Sequence, residues 1–95
     1  MLVEQIDIGN GSVLGLKFDM GHAPLLVIRA RKGFVMCGYL DMDIANKLGD
    51  AAVRVTGVNS FEDVLNAKAV DVSEPAKLLG ITVGMQAKEA LMKMV

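Results

Sequence analysis

Cys37 is the only thiol in the chain and His22 the only imidazole. A nucleophilic thiol needs access and a nearby cation or helix N-terminus that favours the thiolate. Arg29 supplies that charge in one possible pairing of the hairpin that carries Cys37. The plainer reading of Cys37 is a small buried hydrophobe, and it is the stronger one. His22 precedes a strand whose end comes near Tyr39–Asp43, so His22, Asp41 and Asp43 are candidates for an acid–base pair or a weak metal site. Against this, Asp41 is well placed as a helix cap and His22 as a plain loop residue. No HExxH, no CxxC and no second histidine support a zinc site, so no metal and no cofactor are expected.

Two further groups are candidates for holding a ligand. Arg29, Arg31 and Lys32 form a small basic cluster, though charges at a hairpin end usually form a solvated face. Gly80-Ile81-Thr82-Val83-Gly84-Met85 leads into a helix, and Gly84 there is a candidate anion contact. The stretch has neither the P-loop Gly-Lys-Ser/Thr ending nor GxGxxG, so helix termination and restart explains it better. The seven methionines are scattered and read as gap-fillers.

The elements that must position these residues follow from periodicity. Leu2–Ile8 alternates apolar and polar, Gly9-Asn10-Gly11 is turn chemistry, and Ser12–Asp19 follows as a second strand. Leu25–Arg31 and Phe34–Leu40 form another pair around Lys32-Gly33. After Leu40 the period changes. Asp41 caps a helix reaching Leu48, with Gly49 beyond its end. Ala51–Val58 reads as a strand, and Ser60-Phe61-Glu62-Asp63 as a capping box opening a helix to Asn66. Ala69–Val72 is a short strand. Ser73 caps the next helix, Pro75 sits in its first turn, and Gly80 ends it. The last helix spans about Met85 to Met94, with Val83, Ala87, Ala90, Leu91 and Met94 as its apolar stripe. The sequence thus predicts one α+β domain over residues 1–95, with a mainly antiparallel sheet from N-terminal hairpins and three to four short helices on one face.

Register decides which side chains share a face, because a slip of one residue reverses every one. In the first hairpin a two-residue Asn10-Gly11 turn mixes both faces. A three-residue loop with Gly11 left-handed sets Ile6 against Leu14 and Leu2 against Phe18, and gathers Gln5, Asp7, Gly15 and Lys17 on the other side. That loop is expected. In the second hairpin a two-residue Lys32-Gly33 turn puts Cys37 in the core opposite Ile28. A three-residue Arg31-Lys32-Gly33 loop moves Cys37 beside Val27, near Arg29. The three-residue loop is preferred because Gly33 then fills a left-handed position, and the other pairing stays open. In either pairing both faces of the hairpin carry apolar groups, and helices can cover only one.

Bulk properties narrow the function classes. The 95 residues suffice for one small core. Residues of the AVILMFWYC set make up 53%, on top of ten glycines, which exceeds the roughly 45–50% usual for such domains even with glycine counted. The excess predicts a partner, most simply a second copy of the chain. The net charge is −1, and neither half of the chain is biased in charge, so nucleic-acid binding is not expected. Three Phe, one Tyr and no Trp give few stacking platforms for single strands. The longest apolar run, Ala23 to Ile28, is far short of the roughly 20 residues that span a bilayer, and no membrane role is expected. The N-terminus lacks the basic and apolar regions of a secretion signal, and a lone cysteine fits a reducing compartment. The cytoplasm is the expected location.

Two stretches carry a resemblance. Gly33-Phe34-Val35-Met36-Cys37-Gly38-Tyr39-Leu40-Asp41, and Leu79-Gly80-Ile81-Thr82-Val83-Gly84-Met85 followed by Lys88-Glu89-Ala90-Leu91, resemble the YunC-like family of bacteria and archaea. Ala52–Gly57 and Phe61–Leu65 are similar in spacing, so the likeness covers roughly residues 25–95. The resemblance implies an α+β fold whose N-terminal β region, here residues 1–40, mediates tetramerisation. It implies no activity, because the family is classed as a domain of unknown function. Its Met-Cys-Gly motif maps onto Met36, Cys37 and Gly38, which makes Gly38 a further candidate ligand contact. The expectation is therefore a small self-associating protein with no catalysis visible in its residues. The alternative is a small-molecule-binding protein or cysteine-dependent enzyme using Cys37, with His22 or Asp41, near a subunit boundary.

Overall fold

Strand-forming sequence fills the first third of the chain, and every later helix is short. In the computed structural model, which describes residues 1–95, the strands are β1 (Leu2–Asp7), β2 (Ser12–Asp19), β3 (Pro24–Arg29), β4 (Gly33–Met36), β5 (Ala51–Arg54) and β6 (Asp71–Val72). The helices are α1 (Met42–Leu48), α2 (Phe61–Asn66), α3 (Glu74–Leu78) and α4 (Ala87–Met92). The six strands form one sheet in sequence order. All neighbours are antiparallel except β4 and β5, which run parallel with α1 crossing between them. This is the α+β fold that the patterning predicts, except that α1 packs on the face opposite to the other three helices. β5 stops at Arg54 and α4 begins at Ala87, so Val83 lies outside the last helix and is exposed.

The helix boundaries follow local chemistry. The Asp41 carboxylate accepts from the N–H groups of Asp43 and Ile44, and Gly49 ends α1 at φ 77°. The Ser60 hydroxyl accepts from the Asp63 N–H at 3.1 Å, and the Asp63 carboxylate accepts from the Asn59 N–H at 3.0 Å. Ser73 is fully buried and serves two elements. Its hydroxyl caps α3 by accepting from the Ala76 N–H. It also accepts from the Ala52 N–H and donates to the Asp50 carbonyl, both at 2.8 Å.

Both hairpin registers differ from expectation. In the first, Ile6 pairs with Val13 and Val3 with Leu16, so the turn is Gly9-Asn10. The Asp7 carboxylate accepts from the Gly9 N–H at 2.8 Å, and the Ile8 N–H donates to the Gly11 carbonyl. Those bonds close the turn over Gly9-Asn10 in place of the expected three residues, and Gly9, at φ 108°, is the left-handed residue rather than Gly11. In the second hairpin Ile28 pairs with Val35 and Arg29 with Phe34. The connection is Arg31-Lys32, closed by the Ala30 N–H donating to the Gly33 carbonyl at 2.8 Å. Gly33 is not a turn residue. It lies in β4 opposite Ala51, where a Cβ would collide with the Ala51 carbonyl oxygen.

These registers sort the two faces of the sheet. Val13, Leu26, Ile28, Val35 and Val53 belong to the main core, with Ile6 half-buried against it. Phe61 of α2, Ala76 of α3, and Ala87, Ala90 and Leu91 of α4 join them. Gly15 lies in this layer because the Phe61 ring occupies the space its side chain would need. Lys17 falls on this covered side, opposite Leu26. The reverse face carries Val3, Leu14, Leu16, Val27, Phe34 and Met36. Only α1 lies there, packing Met42 and Ala45 on Ala52 beside Phe34.

The close approach at β4 and β5 is directly testable. Gly33→Ala should lower stability by about 1–3 kcal/mol through overpacking, read as a shifted urea midpoint. Gly38→Ala should stay within about 0.5 kcal/mol of wild type, because its Cβ would meet nothing nearer than Thr56 Cγ2 at 4.0 Å.

Candidate functional site

Cys37 follows β4 and keeps the ladder going. Its N–H donates to the Leu26 carbonyl at 3.0 Å, and the Leu26 N–H donates to Sγ at 3.4 Å. The Pro24 carbonyl lies 3.9 Å from Sγ. The observed register turns Cys37 toward the helices with Leu26, Ile28 and Val35, and leaves it 5% exposed. Arg29 belongs to the opposite set and lines the reverse face with Leu14 and Phe34. The expected neighbourhood of Cys37 and Arg29 is therefore corrected. It required the three-residue loop, and a shift of one residue moves the thiol to the other face.

The chain on either side of Cys37 encloses a crevice of about 350 Å³. After β4 the backbone turns at Cys37–Leu40, where the Leu40 N–H donates to the Cys37 carbonyl at 3.1 Å, and runs to α1 on the reverse face. After β5 it passes Thr56, Gly57, Val58 and Asn59 and runs to α2 on the main-core face. The two exits from parallel neighbours thus part in opposite directions. Pro24, Cys37, Gly38, Tyr39, Thr56 and Asn59 line the gap between them. The Tyr39 hydroxyl reaches the Ala23 carbonyl at 3.5 Å, linking this wall to the β2–β3 loop. Of these residues, Cys37 and Gly38 were legible as candidates. Thr56 and Asn59 were not, because their approach depends on the parallel pairing; the Gly57 turn after a valine-rich strand was the only local sign.

The other candidates do not converge. His22 is exposed on the β2–β3 loop, and no three His, Cys, Asp or Glu side chains come close enough together to hold a metal ion. Asp41 is engaged as the α1 cap and lies with Asp43, Arg54 and Asp71 around a shallow hollow that His22 does not reach. Arg54 is 3.8 Å from Asp71. Gly84 has φ 92° and donates its N–H to the Ala69 carbonyl at 2.8 Å, in a connection that ends before α4. Arg29 and Arg31 flank a separate surface hollow beside Gln5 and Ser12.

One large feature is apolar. Val3, Leu14, Leu16, Val27, Phe34 and Met36 form a continuous groove on the reverse face, with Arg29 as its one charged residue. Leu14 is 49% and Val3 52% exposed, and Phe18 extends the strip along β2. The β1 backbone borders the groove as the outer strand of the sheet.

Comparison with known proteins covers nearly all of this architecture. The family described as a domain of unknown function, DUF1805, matches residues 36–94. The uncharacterised protein YunC of Bacillus subtilis is 41% identical over 66 residues, and the chain spans 65% of that relative's length. A crystal structure of a protein of unknown function from Thermoplasma acidophilum superposes with a TM-score of 0.95 at 42% identity, covering 99% of this chain and 92% of that one. The family match begins at Met36, so it takes in Cys37, Gly38 and the whole β5 exit.

The setting of Cys37 predicts a slow thiol. Iodoacetamide should modify it much more slowly in the native protein than in the urea-unfolded chain at the same pH. Cys37→Ala should cost about 1 kcal/mol, mainly through lost packing. Native labelling faster than unfolded labelling would contradict the buried setting described here.

Proposed function

The chain belongs to the DUF1805 family, a domain of unknown function, and from that premise we propose that it is a small cytoplasmic protein whose work depends on assembly into a homotetramer through its β region, residues 1–40. The reading rests on the uncovered apolar groove of β1 to β4. Monomers rarely leave a contiguous apolar patch of this kind in water. Only Arg29 breaks it, and one charge beside six apolar side chains favours an apolar partner over an acidic or nucleic one.

A second copy is the partner this reading names, because the chain offers two distinct surfaces for self-contact. The groove can meet its own twofold image. The outer strand β1, six residues long, offers unpaired backbone groups along its free edge. A tetramer of dihedral symmetry uses two kinds of isologous contact, and face and edge supply them. The single cysteine, held as a free thiol, fits the reducing conditions of cytoplasm. No helix is long and apolar enough to cross a membrane. The proposal assigns no catalytic step.

Sedimentation equilibrium at micromolar concentration tests it. Wild type should sediment near four times the 10.1 kDa of one chain. Leu14→Asp should give lighter species while its far-ultraviolet dichroism stays native, since an unpaired carboxylate buried in an apolar contact costs several kcal/mol. Leu78→Asp, on the far exposed side of α3, should leave the mass unchanged. A single wild-type species near 10.1 kDa would contradict the proposal.

A further inference from the structure

We propose that the crevice between the ends of β4 and β5 binds a small uncharged molecule with an apolar body and an amide or hydroxyl edge. This inference does not rest on the assembly proposed above.

Position is the first argument. In sheets with parallel neighbours, ligands settle outside the carboxyl ends of strands, where the following connections leave toward opposite faces. This chain has one parallel pair, and its two connections part in that way, one to α1 on the reverse face and one to α2 on the main-core face. The cavity lies at that point, and its volume of about 350 Å³ is within the range of small-ligand pockets.

The chemistry of the walls is the second argument. None of the residues lining the crevice carries a charge. A bound ion would lose its hydration without gaining a counter-charge. Pro24, Val58 and the Cys37 thiol offer apolar surface, while Tyr39, Thr56 and Asn59 bring hydroxyl and amide groups. The backbone adds donors. The N–H groups of Gly38, Thr56 and Gly57 take part in none of the chain's internal backbone hydrogen bonds. Gly57, at φ 70°, holds its turn in a conformation that favours glycine. Apolar walls with a few unspent polar groups match a ring or short chain bearing a carbonyl or hydroxyl.

Amide NMR spectra of the intact protein, titrated with benzamide, phenol, benzoate and inorganic phosphate, test this. Benzamide or phenol should produce saturable shifts at Gly38, Thr56 and Gly57. Benzoate, of the same shape but charged, should bind about tenfold more weakly or worse, and phosphate should leave these amides unmoved. Gly38→Leu, whose Cβ has open space toward Thr56, should fill the crevice and abolish the shifts at Thr56 and Gly57 with the rest of the spectrum unchanged. Four results would overturn the proposal: no saturable shift from either neutral probe, benzoate binding as tightly as benzamide, phosphate shifting the same amides, or neutral-probe shifts that survive Gly38→Leu.

Discussion

A sheet has two faces, and this chain has helices enough for one. Its four helices are five to seven residues long. Three of them close the main core over Ile28, Val35 and Val53. The fourth, α1, covers only the corner of the reverse face at Ala52 and Phe34. β2 shows the consequence in consecutive residues. Val13 and Gly15 face the helices, and Gly15 gives up its side chain to the Phe61 ring. Leu14, Leu16 and Phe18 face the other way with no helix over them. An apolar content of 53% in so short a chain is the compositional form of the same constraint. Burial of apolar area drives folding and association alike, so a face left uncovered by folding is available to association.

The crossover through α1 has a second effect. It makes β4 and β5 parallel and sends their exits to opposite sides, which opens the crevice beside Cys37. The pairing is held tightly at its start. Gly33 lets β4 approach Ala51, and the Ser73 hydroxyl ties the Asp50 carbonyl and the Ala52 N–H to the first turn of α3. A rigid entry and divergent exits place a gap at the far end of the pair. The crevice thus follows from the crossover, whereas the uncovered face follows from the shortage of helices, and the two lie on different parts of the surface.

Local chemistry was legible in the sequence and long-range pairing was not. Asp41, Ser60 and Ser73 cap the helices expected of them, and Gly49 ends α1, because each acts on backbone groups within a few residues. Register failed for two physical reasons. Asp7 spends its carboxylate on the Gly9 N–H, and the first turn closes over Gly9-Asn10 without Gly11. Gly33 has the composition of a turn residue but is needed where β4 meets Ala51, eighteen positions on. Sequence patterning treats a glycine beside a lysine as a turn and has no access to that contact. The consequence reached the site, since the register moved Cys37 away from Arg29. Cys37 and Gly38 could be named from the chain, whereas Thr56 and Asn59 join them only through the parallel pairing.

The central claim is that water does not reach the reverse face of the sheet in the working protein. Relaxation of side-chain methyl signals by a small neutral paramagnetic reagent measures this directly, residue by residue. In the single chain Leu14 is 49% exposed, while Leu78 and Val83, away from this face, are 89% and 61% exposed. The account predicts that Leu14, Leu16 and Val27 are shielded nearly as well as core Leu26, while Leu78 and Val83 relax strongly. Relaxation of Leu14 in proportion to its single-chain exposure, alongside Leu78 and Val83, would contradict it.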